Sequence, residues 1–148
     1  MIMTEQKMSE VLHQQVVQKP LLKKVHCNYL PVTDLELASR WYQSMFGLER
    51  INREPSGSIL ILGDGQWLFL LECNEKRNAN FITSQWEGDN YEMFSLTFEV
   101  ENITELHKRL RENGVEVGPL ADLDSCGLQF KFKDPDGNKF NVWQDPQS

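Results

Sequence analysis

Few side chains in this 148-residue chain are of a type and spacing that could do chemistry. Its three histidines, His13, His26 and His107, are scattered, and none has a partner at metal-ligand or general-base spacing. The three cysteines, Cys27, Cys73 and Cys126, are odd in number and far apart, with no Cys-x-x-Cys. That argues against a disulfide framework and against a zinc ribbon. A reactive thiol at Cys27 would need a cation or a helix N-terminus to lower its pKa. The sequence shows neither, which favours an inert buried cysteine. Glu72 is a candidate for holding a cationic ligand group or acting as a lone general base, against the plainer reading of a solvated strand end. Asn141 and Trp143 suit ligand hydrogen bonding and stacking, with core filling the equal alternative. Tyr29, Trp67 and Trp86 are candidate aromatic walls. Asp134, Asp136 and Gly137 look catalytic, but turn chemistry explains them more simply.

The elements that must position these residues can be read from periodicity. Val25 to Val32 reads as a strand. Thr33, Asp34, Leu35 and Glu36 form a Ser/Thr-x-x-Glu capping box, in which Thr33 accepts from the third helical N–H and Glu36 reaches back. Leu37, Ala38, Trp41, Tyr42, Met45 and Phe46 follow with helical spacing, and Gly47 stands where a left-handed cap residue is needed. Trp41 and Tyr42 are read as core. Ser58 to Leu62 and Gln66 to Glu72 read as strands, joined by a turn at Gly63-Asp64-Gly65. Asn74 to Tyr91 is polar and looser, a connection between halves. Phe94 to Val100 then alternates strictly. Asn102 to Glu105 is a second capping arrangement, and Ile103, Leu106, His107 and Leu110 make a second stripe that Gly114 closes. Val115 to Val117, Leu128 to Lys133 and Lys139 to Gln144 complete the strands.

These signals occur twice. Val32, Leu35 and Gly47 correspond to Val100, Ile103 and Gly114, an offset of 67 to 68 residues. Register, cap and stop agree in both copies, which predicts two tandem strand–helix–strand–strand–strand modules, at about 23–77 and 92–146, in one α+β domain. Residues 1–22 read as a tail or short helix, with Val11, Leu12, Val16 and Val17 on one face. Each helix must cover one sheet face, leaving the other free. On that free face fall Cys27 and Tyr29 in the first half and Ser95 and Thr97 in the second, a lining for a ligand cavity.

Composition narrows the partners. The net charge is −7, from 15 Lys and Arg against 22 Asp and Glu. That balance disfavours nucleic acid and anionic membranes as partners. Nothing approaches the roughly 18 apolar residues of a membrane helix, and the first residues lack a signal peptide's apolar run, so the cytoplasm is the expected compartment.

The residues Val32 to Glu36, Trp41-Tyr42, Phe46 to Leu48, Phe98-x-Val100-x-Asn102-Ile103 and Phe132-x-Asp134-Pro135-Asp136-Gly137-Asn138 resemble the vicinal oxygen chelate superfamily, over roughly Lys23 to Gln144. It contains glyoxalase I, extradiol dioxygenases, fosfomycin-resistance enzymes and bleomycin-binding proteins. The resemblance implies paired βαβββ modules in an open, U-shaped mixed sheet around a cavity, and a homodimer, in some members by module exchange. It also implies a divalent metal acting as a Lewis acid on two adjacent substrate oxygens. Its ligand positions fall here on Cys27, Glu72, Ser95 and Asn141. Ser and Asn are weak neutral ligands, and a thiolate prefers softer ions than they do. No cofactor is therefore expected. A metal held by His26 and Glu72 is the weaker alternative, because His26 is one residue off the ligand position and so faces the other way or sits at the strand start.

Three functions follow. The first is a metal-independent binding protein for a small, partly aromatic or cationic molecule. The second is a lyase or dioxygenase-like enzyme with an atypical ligand set, or a metal-free isomerase-like catalyst. The third is an accessory protein whose vestigial cavity is filled by side chains.

Overall fold

The computed structural model describes residues 4–8, 19–52 and 55–147. His13 and the apolar stripe from Val11 to Val17 lie outside the described residues. The first module consists of β1 (Cys27–Val32), α1 (Leu35–Phe46), β2 (Glu49–Asn52), β3 (Gly57–Ile61) and β4 (Trp67–Glu72). A hairpin of β5 (Phe81–Thr83) and β6 (Tyr91–Met93) leads to the second. That module consists of β7 (Thr97–Glu99), α2 (Ile103–Glu112), β8 (Ala121–Asp122), a 3-10 turn at Asp124–Cys126, β9 (Leu128–Lys133) and β10 (Lys139–Gln144).

The two sheets have the same order, β1-β4-β3-β2 and β7-β10-β9-β8. In each, the first strand runs parallel to the last and the remaining pairs are antiparallel. The fold is thus α+β, with two tandem βαβββ modules in open mixed sheets. Among the described residues no hydrogen-bonded strand pair joins the sheets, so the open sheet comes as two four-stranded halves. No described helix is long and apolar enough to cross a membrane.

The helices start and stop for local reasons. Gly47 takes φ 67° and its N–H donates to Gln43 O at 2.9 Å, closing α1. The start of α1 departs from the expected capping box. Asp34 is the cap residue, accepting from Leu37 N at 3.0 Å. Thr33 is drawn away: its N–H and its hydroxyl both donate to Asp136 of the second module. Glu36 does not reach back either, and meets Arg50 in a two-pronged pair at 3.0 Å. A carboxylate from a distant turn has outbid the local cap, and Asp34 supplies the next oxygen. For α2, Asn102 accepts from Glu105 N at 3.2 Å, as its spacing predicts, and Gly114 at φ 74° follows the last turn. The modules share one further device. The last residue of each final strand reaches the first helical N–H, Glu72 Oε1 from Leu35 at 3.1 Å and Gln144 Oε1 from Ile103 at 2.8 Å.

Other expected spans shift at their edges. The last two strands fall on the expected residues, but the Phe94 to Val100 run forms ladder only at Thr97–Glu99. Leu96 O still accepts from Asn141 N at 3.1 Å. Val117 makes a lone bridge to Phe132, and the paired edge strand is β8. The polar Asn74 to Tyr91 connection holds β5 and the start of β6, and β2 carries no sequence signal strong enough to foresee.

One core serves both modules. Leu30, Val32, Leu68 and Leu70 from the first sheet and Phe130, Phe132, Phe140 and Val142 from the second pack around Tyr42, Ile103 and Leu110. Phe46 lies 5.6 Å from Phe132 and Tyr42 6.5 Å from Phe140, ring centre to ring centre, so α1 touches both sheets. Burying such side chains contributes about 1.5–3 kcal/mol each. Trp41 packs against this core and His107 packs edge-on to Phe130, its Nε2 2.9 Å from Gly118 O.

A polar bridge crosses the same core. Asp134 Oδ1 accepts from the N–H groups of Asp136 and Asn138 at 2.9 Å, and Gly137 takes φ 87°, so this acidic motif does build a turn. Its other oxygen accepts from Tyr42 Oη at 2.5 Å. Burial raises the Asp134 carboxyl above its ordinary value, against the lowering by the bonds from Tyr42 and Asn138. Tyr42 is raised well above the usual phenol value, by burial first and then by the Asp134 charge. Both groups therefore favour the folded state while protonated. The Asp134 contribution is complete below the ordinary carboxylate range and is lost as pH rises through its raised folded value. The Tyr42 contribution holds below about pH 10 and is lost above it. Urea titrations across pH are expected to show Asp134→Asn gaining on the wild type as pH rises from about 4 to neutral. A constant gap between the two would contradict this.

Candidate functional site

Successive strand residues face opposite ways, and strand register fixes what stands beside what. On the first sheet the face turned from the core is mostly apolar, with Glu49 of β2 beside Ile61 at its far edge. Trp67 pairs with Cys27 and Ile61, Phe69 with Tyr29 and Ile59, and Leu71 with Pro31 and Gly57. The Tyr29 and Phe69 rings stack at 5.6 Å, and His26 lies 4.5 Å from the Trp67 ring. A Cβ at Gly57 would fall 2.4 Å from the Phe69 ring, so glycine there lets the ring lie flat along the sheet. This face is open to water at Tyr29, 63% exposed, and at Leu71, 37%, while Ile59 on it is buried.

The corresponding face of the second sheet is polar. Thr97, Asn141 and Lys131 make one row, Glu99, Trp143, Gln129 and Ala121 the next, and Lys139 pairs with Lys133. Asn141 Nδ2 donates to Thr97 Oγ1 and Gln129 Oε1, each at 3.3 Å. Asn141 is 6% exposed, yet its Oδ1 has no partner among the described residues. A buried acceptor left unsatisfied costs about 1–3 kcal/mol, so its retention at the centre of this face needs a reason. Trp143 Nε1 donates to Cys126 O at 2.6 Å, which fixes the indole. Ser95 and Thr97 are exposed at one edge.

The sequence candidates thus divide. Thr97, Asn141 and Trp143 come together on the second sheet, with Ser95 just before it, and Cys27, Tyr29 and Trp67 on the first. Glu72 joins neither set. It pairs with Val32, so it shares the helix side of the sheet, and its Oε1 is taken by the Leu35 N–H. Cys27 Sγ lies 3.9 Å from Asn28 O. His26 packs at the Trp67 end of β4 and Glu72 ends that strand. Five residues at about 3.3 Å each put roughly 17 Å between those ends, so His26 and Glu72 are not brought together. Trp86 is 59% exposed in the loop between β5 and β6.

This donor set does not fit the family's divalent ion. Of its four positions Glu72 is committed to the helix, and Ser95 and Asn141 are neutral. Among the described residues no three His, Cys, Asp or Glu side chains stand close enough to share a metal. Sequence reasoning passed over Phe69, Lys131, Lys133 and Lys139. The alternation of Gln129, Lys131 and Lys133 within β9 was the signal that could have found the lysines.

Two like modules, each a mixed sheet with a helix on one face, define a class of fold, and the chain belongs to it: residues 23–142 match the glyoxalase/bleomycin resistance protein/dioxygenase superfamily, of which the chain is a member. Among curated proteins it is similar to YetH of Bacillus subtilis (strain 168), an uncharacterized protein, with 24% identity over 121 residues that cover 81% of this chain and 97% of that one. Among solved structures it is similar to TnmS3, an antibiotic binding protein from Streptomyces sp. CB03234, at 20% identity and TM-score 0.65, covering 86% of this chain and 99% of that one. It is also similar to the fosfomycin resistance protein FosX from Listeria monocytogenes, at 19% identity and TM-score 0.63, covering 84% and 94%. A lactoylglutathione lyase from Agrobacterium tumefaciens gives the same identity and TM-score, covering 84% and 96%. At these identities the likeness to the solved structures is one of fold.

Proposed function

We propose that this protein binds a small, partly aromatic molecule without a metal, in a cup that two copies of the chain complete. The observation that carries this reading is the contrast between the free faces: an aromatic wall around Tyr29, Phe69 and Trp67, and a hydrogen-bonding floor around Asn141 and Trp143. Ligand sites combine those two kinds of surface, mostly apolar lining with a few placed polar groups. In a single chain the candidate residues do not close around a ligand, since Tyr29, Ser95 and Thr97 are exposed. A two-fold pairing of copies sets each free face against another and covers the apolar one. Binding of an antibiotic by TnmS3, on the same fold, supports the reading. Three free thiols suit a reducing compartment such as the cytoplasm.

Trp67 and Trp143 report on the two faces by their own fluorescence. A panel of small aromatic compounds is expected to yield ligands that shift this signal. Phe69→Ala, which removes the wall, and Thr97→Trp, which crowds the floor at an exposed position, are each expected to weaken them at least tenfold while circular dichroism is unchanged. Ligands indifferent to both variants, or seated in the hollow beside Leu37 and Trp41 on α1, would overturn the proposal.

A further inference from the structure

Away from Glu99, which stands in the row of Trp143, the polar face gathers three lysines against two glutamates, a local surplus for which the binding reading alone gives no reason. A hollow of about 330 Å³ opens over it, lined by Lys131, Lys133, Lys139, Glu92, Glu116 and Gly118. Gly118 presents no side chain, which leaves room beside Lys131. The three ammonium groups stand on neighbouring strands in a protein whose net charge is −7. Only part of their charge is matched. Lys133 Nζ pairs with Glu92 at 2.8 Å and more loosely with Glu116 at 3.8 Å. Lys139 Nζ donates to Glu92 O at 2.6 Å and stands 4.1 Å over the Tyr91 ring. Lys131 Nζ lies 5.8 Å from the Phe94 ring centre, and among the described residues it has no carboxylate partner. Against three ammonium groups, one carboxylate is close and one distant.

Position adds to this. Lys131 stands beside Asn141 in the central row of the floor, so a ligand lying on Asn141 brings its polar end to the Lys131 ammonium. A half-buried amine beside an apolar ring attracts an anion more strongly than one in bulk water, because the surroundings screen it less. A cationic ligand, which the acidic composition favours at first sight, meets like charge here.

We propose that the ligand is an amphipathic acid, whose carboxylate or phosphate group is held by Lys131 with Lys139 and Lys133 beside it, while its flat apolar body lies on the Phe69 and Tyr29 wall. This rests on the two-faced cup described above. A matched series separates the two ideas: 2-naphthoate, 2-naphthyl phosphate and the neutral 2-naphthylmethanol, titrated by tryptophan fluorescence at two salt concentrations. The wild type is expected to bind at least one acid tenfold or more tighter than the alcohol, with a margin that shrinks as salt rises. Lys131→Gln is expected to cut that margin below threefold, and Lys131→Arg to restore it. Which acid binds better tells carboxylate from phosphate. Equal binding of acids and alcohol, or a margin that survives Lys131→Gln, overturns the anion site and leaves the cup standing. Failure of all three compounds to bind overturns the anion site together with the cup.

Discussion

Replacing Asn138 with alanine is expected to cost about 3–5 kcal/mol of folding stability, the range of changes that break a buried hydrogen-bond network. Asn138 is 0% exposed and touches three parts of the chain. Its Nδ2 donates to Pro31 O at 3.0 Å in the first module and to Asp134 Oδ2 at 2.9 Å in its own turn. Its Oδ1 accepts from Ala79 N at 2.8 Å in the connection. Alanine leaves the half-buried Ala79 N–H and Pro31 carbonyl without their partner, each worth about 1–3 kcal/mol where water does not replace it. The same turn carries Asp136, which holds Thr33, and Asp134, which holds Tyr42. Losing the anchor therefore loosens both ties between modules. Urea unfolding followed by tryptophan fluorescence measures the loss. A cost below about 1 kcal/mol would mean that packing of α1 on Phe132 and Phe140 alone joins the modules.

Gly127→Ala is expected to cost at least 3 kcal/mol, for a reason of backbone geometry. Gly127 adopts φ 94° and ψ −171°, a region open in practice to glycine alone. A Cβ there would meet Gln144 O at 2.2 Å, Trp143 Nε1 at 2.9 Å and Pro146 Cδ at 3.0 Å. Those are backbone and fixed ring atoms at the end of β10, so relief must move the strand end. That movement disturbs the Gln144 bond to the Ile103 N–H and the Trp143 bond to Cys126 O. The expected signature is a falling urea midpoint together with a shift in tryptophan emission that is absent when Trp143 is replaced by Phe. Gly63→Ala is the control, because a Cβ there meets nothing within 4 Å. A near-neutral Gly127→Ala would show that the turn before β9 relaxes without carrying β10 with it.

The fold was legible where one periodicity and one stop residue agree. Leu128 to Lys133 and Lys139 to Gln144 alternate cleanly around a turn that only Asp134, Asp136 and Gly137 suit, and both strands fall where expected. Gly47 closes its helix as its spacing implies. Misplacement came where a distant group decides a local choice. Nothing near Thr33 in sequence announces that Asp136, 103 residues on, takes its N–H and hydroxyl. The strands β5 and β6 are three residues each and exist by pairing with one another, which local pattern does not register. For the site, parity was the deciding rule. Asn141 and Trp143 sit between Phe140 and Val142, which are buried in the core, so alternation puts them on the free face. Glu72 follows Leu71, and the same alternation turns it toward the helix with Leu70. The lysines of the floor went unread because charge was weighed over the whole chain, where −7 hides a local surplus.

The central claim is that the aromatic face of one copy and the polar face of another make one site. Mixing two crippled chains tests it most directly. Phe69→Ala chains lack the wall and Thr97→Trp chains lack an open floor, so each alone binds 2-naphthoate at least tenfold more weakly than the wild type. Unfolded together and refolded, they are expected to form mixed dimers in which one of the two cups pairs an intact wall with an intact floor. About a quarter of the wild-type binding capacity should then return, at wild-type affinity, in a species that sediments as a dimer. Dimers that form freely yet recover no binding would contradict the claim, and would mean that each chain builds its site from its own two faces.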